Sequence, residues 1–314
     1  MRAGKDGPTW AAQIVGRSRG DRLRRPSRFA GQPFQPYNDH PGILCPHGTG
    51  LVWREYRGSF DRGCILPEAF ELSGIDASVR EAVRFFWTTR GSQQTKQLAS
   101  GTADQGARGA VTGGKQMDGF VKTLCELIVR AGVPDACVYR EKALELPGFF
   151  RPTKQWDLVV VSEGQLLAVI ELKSQIGPSF GNNFNNRTEE AMGSALDLWT
   201  AYREGAFKGS DRPWLGYVFL LEDCEKSRAP VKVEEPHYPV FPEFKNASYM
   251  KRYEIFCRKL VRERHYEAAA FLVSSSANGA QGVYAEPNPD LGFRVLAASL
   301  MGKIAAYAAL RNHT

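Results

Sequence analysis

Asp157, Glu171 and Lys173 bracket two apolar runs in the stretch WDLVVVSEGQLLAVIELK, residues 156–173. If Glu163, Gly164 and Gln165 form the turn of a hairpin, antiparallel pairing sets Asp157 opposite Glu171. The two-residue period of a strand then puts Lys173 on the same face as Glu171. Two carboxylates directly opposed on a sheet repel one another unless a cation or hydrogen-bond donors lie between them. A divalent metal ion removes that repulsion. Hard oxygen ligands suit Mg²⁺, which takes one or two carboxylates and completes its octahedron with water and substrate phosphate. The lysine is then within reach of the water. On the bland reading, acids and lysines end strands simply by meeting solvent, and a one-residue shift of the turn moves Asp157 opposite Ile170.

The elements that must position these residues follow from apolar periodicity. Val79, Ala82, Val83, Phe86 and Trp87 recur at helical spacing after Asp76, and a second helix over about 117–131 carries Phe120, Leu124, Leu127, Ile128 and Ala131 on one face, with Gly132 placed to end it. Strands are expected at 136–140, 156–162 and 165–172, then a helix over about 187–204 marked by Met192, Ala195, Trp199 and Tyr202. WLGYVFLL at 214–221 reads as a buried strand, Ser248 as the cap of a helix to about 263, AAAFLVSS at 268–275 as another strand, and Asp290 as the opening of a C-terminal helix. From 117 to 221 the order is α-β-β-β-α-β, which predicts an α/β fold: a mixed sheet with helices on both faces. Tyr249, Tyr253, Phe256 and Leu260 read as ordinary core.

Composition narrows the classes. The chain has 314 residues, 43% hydrophobic and 24% charged, with a formal net charge of +7. Residues 1–30 hold eight Lys/Arg against two Asp, so +6 of that charge sits there. DNA affinity beyond residue 30 must therefore come from local placement of Lys and Arg. Residues 1–72, rich in Gly, Pro and Arg, are expected to be a poorly ordered or loosely attached basic extension, with a phosphate-touching arm as the alternative, and residues 73–314 a single domain with its core at about 117–222. The six cysteines form no CxxC pair and read as buried free thiols; Cys45, His47 and Cys64 match no common zinc finger. Gly109, Gly114 and Lys115 fit the start of a phosphate-binding GxxxxGK loop, but Gln116 stands where the magnesium-binding hydroxyl belongs and no apolar strand precedes it, so a surface loop is expected. A basic N-terminus without an apolar leader, and no apolar run of about 18 residues, point to the cytoplasm.

Asp157, thirteen residues, then Glu171-Leu172-Lys173, on the α-β-β-β-α-β order, resembles the PD-(D/E)xK nuclease site, with Trp156 where the motif's proline usually stands. Longer phrases narrow this: GGKQMDGF (113–120), LPGFFRPTKQWDL (146–158), ELKSQIGPSFGNNFNNRTEEAMG (171–193), EDCEKS (222–227) and FPEFKNASYMKRYEIFCRKL (241–260) resemble the XhoI family of type II restriction endonucleases over about residues 80–262. The resemblance implies a restriction-endonuclease-like core and Mg²⁺-dependent cutting of double-stranded DNA at CTCGAG, with 5′-phosphate ends and 5′ overhangs. It also implies a homodimer working beside a separate cognate DNA methyltransferase in the bacterial cytoplasm. Under it, Asp157, Glu171 and the Leu172 carbonyl hold Mg²⁺ and Lys173 orients the attacking water. Asp118 is a candidate auxiliary acid, an ordinary helix-start acid being the equal alternative. Arg or Lys pairs with guanine and Asn or Gln with adenine. The expected loop GNNFNNRTEE therefore offers Asn182, Asn183, Asn185, Asn186 and Arg187 as base readers, with Gly181 allowing close approach and Arg151 and Lys154 on flanking phosphates. Two other readings remain at this point: a nuclease of repair or recombination that reads structure, and a DNA-binding homologue that does not cut.

Overall fold

A computed structural model describes residues 72–99 and 115–311. The expectations for residues 1–71, including the Cys45/His47/Cys64 group, and for the glycines of the GxxxxGK segment lie outside the described residues.

A five-stranded sheet in the order β1-β4-β5-β6-β7 forms the middle layer, made of β1 (Val138–Tyr139), β4 (Leu158–Ser162), β5 (Gln165–Gln175), β6 (Trp214–Glu222) and β7 (Ala268–Ser274). β1, β4 and β5 pair antiparallel, while β5, β6 and β7 run parallel. The parallel half requires crossovers, and two long helices supply them: α3 (Phe180–Arg203) between β5 and β6, and α4 (Tyr249–Arg262) between β6 and β7. Strand alternation then sorts side chains into two cores. Ile170, Leu172, Val218 and Leu220 pack with α1 (Ile75–Ala99), α2 (Asp118–Arg130) and α5 (Phe293–Arg311) on one face. Val169, Tyr217, Phe219 and Leu221 pack with α3 and α4 on the other. The result is the expected mixed sheet with helices on both faces.

Four details depart from the periodicity reading. The hairpin turn is two residues, Glu163 and Gly164, both with positive φ (50° and 76°), the geometry that suits the twist of a two-residue hairpin. Leu167 is the extra residue of a β-bulge: Val160 pairs with Ala168 but Val161 with Leu166. A shorter turn plus a bulge returns the same net register as a three-residue turn, and Leu158 faces Ile170, so the next step sets Asp157 across from Glu171.

The second departure is a separate two-stranded sheet, β2 (Glu145–Pro147) with β3 (Thr153–Gln155), inserted between β1 and β4. Strands of three residues, one ending in proline, carry no alternation to detect. The third is α3, which begins at Phe180, so Asn182, Asn183, Asn185, Asn186 and Arg187 lie on its first two turns and not in a loop. Phe180 and Phe184 anchor those turns, packing against Tyr249 and Tyr253 of α4 with ring centroids 5.8 and 5.0 Å apart. Gly181 serves the same contact, since a Cβ there would lie 2.8 Å from the Tyr249 hydroxyl. The fourth is α5, whose 19 residues reach a mean hydropathy of 1.4, so one helix among those described is long and apolar enough to cross a membrane by composition. Its apolar stripe, Phe293, Leu296, Leu300 and Ile304, is occupied by the core.

Candidate active site

Asp157 stands just ahead of β4, and Glu171 and Lys173 alternate with the inward-facing Leu172 along β5. The sheet register brings the three together. Lys173 Nζ lies 2.8 Å from Glu171 Oε1 and 3.6 Å from Asp157 Oδ2. Asp157 Oδ2 also accepts the Leu172 N–H at 2.7 Å, which fixes the carboxylate against the edge of β5. A strand residue presents its N–H and C=O to the same edge, so the Leu172 carbonyl opens on the Asp157 side too.

A second lysine joins them. Lys154 of β3 lies over the Trp156 ring, 4.3 Å from its centroid, and its Nζ reaches Glu171 Oε1 at 3.2 Å. The Glu171 side chain is only 2% exposed. Burial pushes its carboxyl up, but Lys173 and Lys154 outweigh burial and hold it below the ordinary carboxylate range. Burial also pulls the Lys173 ammonium down, and Glu171 with Asp157 more than restores it, so it ends above its usual value. Beneath the pair, the buried Tyr266 hydroxyl donates to the Ala191 carbonyl at 3.1 Å and lies 3.5 Å from Glu171 Oε2.

Two cavities open on this centre. One, of about 660 Å³, is lined by Asp157, Lys173, Asp118, Gln116, Asn183 and Arg187, among others. The other, of about 420 Å³, includes Glu171, Lys154, Arg151 and Glu190, and shares Lys173 and Arg187 with the first. Asp118 therefore faces the larger of these cavities from the start of α2, and burial pushes its carboxyl up, against the pull of Lys115. Asn183 and Arg187, one helical turn apart, face it from α3; Asn182, Asn185 and Asn186 are on the exposed side of that helix. Arg151 is committed on one side to Asp197 of α3, its Nε 2.6 Å from Oδ2. Sequence reasoning missed Gln116 as a lining residue, buried with no partner for its Oε1, and Arg90 of α1. It also missed the link from Lys154 to Glu171. Trp156 beside Asp157 was the available signal, since a buried tryptophan there gives a neighbouring lysine stem a surface to cross.

The donor set fits a hard divalent cation. Two carboxylates and a strand carbonyl converge, and two lysines balance the acids. Among the described residues no cluster of three His, Cys, Asp or Glu side chains occurs.

A family model described as restriction endonuclease XhoI matches residues 96–286, more than half of the chain. This chain belongs to the XhoI restriction endonuclease family. The type II restriction enzyme BstVI of Geobacillus stearothermophilus is 56% identical over 212 residues, covering 66% of this chain and 95% of the relative. XhoI of Xanthomonas vasicola is 47% identical over 197 residues, 62% of this chain and 78% of that enzyme. AbrI of Azospirillum brasilense is 48% identical over 171 residues, 54% of this chain and 77% of that one. No solved structure matches the chain. As a member of the XhoI family the protein is a type II site-specific deoxyribonuclease, acting on double-stranded DNA with a divalent metal ion. Every charged group described above except Arg90 lies within the matched span.

Proposed function

We propose that the protein hydrolyses both strands of duplex DNA at CTCGAG in a Mg²⁺-dependent reaction, leaving 5′-phosphate ends with 5′ overhangs. The observation that carries the reading is the convergence of Asp157, Glu171 and Lys173 around one point, with Lys173 Nζ 2.8 and 3.6 Å from the two acids. Asp157, Glu171 and the Leu172 carbonyl would hold the Mg²⁺. When bound, that ion stabilises the added negative charge of the pentacovalent phosphate. Lys173 orients the attacking water and favours its deprotonation by its positive charge. The water oxygen bonds to phosphorus as the bond to the 3′ oxygen breaks, giving a 5′-phosphate and a 3′-hydroxyl. Lys154 keeps the buried Glu171 ionised, and Asp118 supplies a further acid at the cavity wall.

Recognition falls first to Asn183 and Arg187, which face the cavity and whose amide and guanidinium match the edges of adenine and guanine, with Asn182, Asn185 and Asn186 on the exposed side of the same turns as outlying contacts; Arg151 adds a phosphate contact. The working unit is a homodimer, with a separate methyltransferase protecting the same sites in the host cytoplasm. Residues 73–314 form the endonuclease domain, with its catalytic core at 117–222.

The test is to incubate the purified protein with unmethylated phage DNA, with Mg²⁺ or with EDTA, and to map the cut ends. Metal-dependent fragments ending at CTCGAG are expected. Cuts at another sequence would overturn the target assignment, and cutting without sequence preference would overturn the reading as a whole.

A further inference from the structure

Four large apolar side chains stand out of the protein beside the catalytic cavities. Phe149 and Phe150, at the tip between β2 and β3, are 52% and 66% exposed, and Met192 and Leu196, one turn apart on α3, are 43% and 49% exposed. The tip is locked to the helix. Asp197 Oδ1 accepts the Phe149 N–H at 2.7 Å and the Phe150 N–H at 2.8 Å, while Oδ2 accepts from Arg151 Nε at 2.6 Å. That carboxylate is itself 3% exposed. Gly148 permits the approach, because a Cβ there would sit 2.6 Å from Asp197 Oδ2. The two rings meet edge to face, 5.0 Å between centroids. One turn before Asp197, a Cβ on Gly193 would meet nothing within 4 Å, so bare backbone faces open space between Met192 and Leu196. The cavity that holds Glu171 and Lys173 is lined by Arg151, Gly193 and Ser194 as well, so this apolar face begins at its rim.

Two observations choose the occupant. Phosphates would be met by cations, and the cations here (Arg151, Lys154, Lys173 and Arg187) line the cavity, whereas the four exposed groups are aromatic, thioether and branched aliphatic, the composition found at the centre of protein interfaces. The described residues also hold one set of Asp157, Glu171 and Lys173, and cutting both strands of a duplex calls for two. We propose that Phe149, Phe150, Met192 and Leu196 are the centre of the face on which a second copy of this chain docks, setting the two catalytic cavities side by side. The proposal rests on the proposed cutting of both strands. A two-fold contact uses the same patch twice, so a small cluster on each copy serves as the middle of an interface of the roughly 1,200–2,000 Å² that stable complexes bury.

The experiment compares the full chain with F150E, with L196E and with the milder F149S/F150S pair. All four side chains are exposed at the surface and outside both core clusters, so the substitutions open no core, and circular dichroism checks the fold. In light scattering without DNA, the unaltered protein is expected at twice the 34.9 kDa chain mass and each variant at the single mass. On supercoiled plasmid with Mg²⁺, the unaltered protein should yield linear DNA while the variants accumulate nicked circles. A monomeric unaltered protein, or variants that remain dimers and linearise the plasmid, would overturn the proposal. Variants that keep the dimer mass but bind the cognate duplex more weakly would also overturn it and turn the face into a DNA contact. If the unaltered protein cuts no specific sequence, the proposed function fails while the mass comparison still decides the interface.

Discussion

At the scale of single residues, Glu171 is the least replaceable group in the site. It lies buried, with two ammonium groups on one oxygen. Its folded pKa lies below the unfolded value of about 4.3, so its stabilising contribution is present above that pH and is lost as pH falls through the folded value. Lys173 behaves in the opposite sense: its raised pKa contributes below the unfolded value of about 10.4 and is lost as pH rises through the folded one. Melting temperature is therefore expected to be flat near neutrality and to fall on both sides, and Glu171→Gln should flatten the acid limb; an unchanged acid limb would contradict the depressed pKa. Lys173→Ala should lower cleavage by roughly 10²–10³-fold, the range for removing one positioned electrostatic group, with duplex binding in Ca²⁺ largely retained. A binding loss equal to the rate loss would make Lys173 a mere phosphate contact. The convergence of Asp157, Glu171 and Lys173 was legible from types and spacing alone. Lys154 was legible only as a nearby cation, because what makes it part of the site is the path of its side chain across Trp156.

At the scale of elements, α3 divides its polar residues by helical phase. Asn183 and Arg187 face the catalytic cavity and Asn185 does not, so Asn183→Ala or Arg187→Ala should slow cognate cleavage by roughly 5- to 150-fold, the worth of one good base contact, while Asn185→Ala changes little. Equal effects at all three positions, measured as kcat/KM on a short duplex, would contradict the helical assignment of roles. The start of α3 was hidden because Gly and Asn are poor helix formers and mask the Phe180, Phe184, Ala191, Ala195 ladder. The β2–β3 hairpin depends on a single helix residue. Asp197→Ala strands two backbone N–H groups and one guanidinium, at a cost of roughly 2–3 kcal/mol in chemical denaturation, since hydrogen bonds to a charged group are the strong ones. Faster chymotryptic cutting at Phe149 or Phe150 is expected alongside; an unchanged digestion rate would mean that the hairpin is held some other way.

At the scale of the whole molecule, one sheet serves two cores, and the proposed catalytic centre sits where the antiparallel half gives way to the parallel half. Phe219, fully buried and stacked on Tyr253 at 4.2 Å, is a measure of how rigid that support is. Phe219→Ala should cost roughly 3–5 kcal/mol by cavity formation, read from the shift in denaturation midpoint; a cost below 1 kcal/mol would mean the α3 and α4 face packs loosely. What the sequence determined by itself was everything carried by local periodicity: the order of the main helices and of the five strands of the central sheet, the α/β class, and the pairing of Asp157 with Glu171. That pairing survived an incorrect turn because the bulge at Leu167 compensates the shorter turn, and a buried two-sided strand tolerates only the register that keeps its apolar residues inside. What only the tertiary structure decided was each contact between residues distant in the chain: Lys154 on Glu171, Asp197 under Phe149 and Phe150, Gly181 against Tyr249. Spacing in one strand or helix fixes which face a side chain shares, but a contact between elements depends on how the layers pack, and no local pattern encodes that.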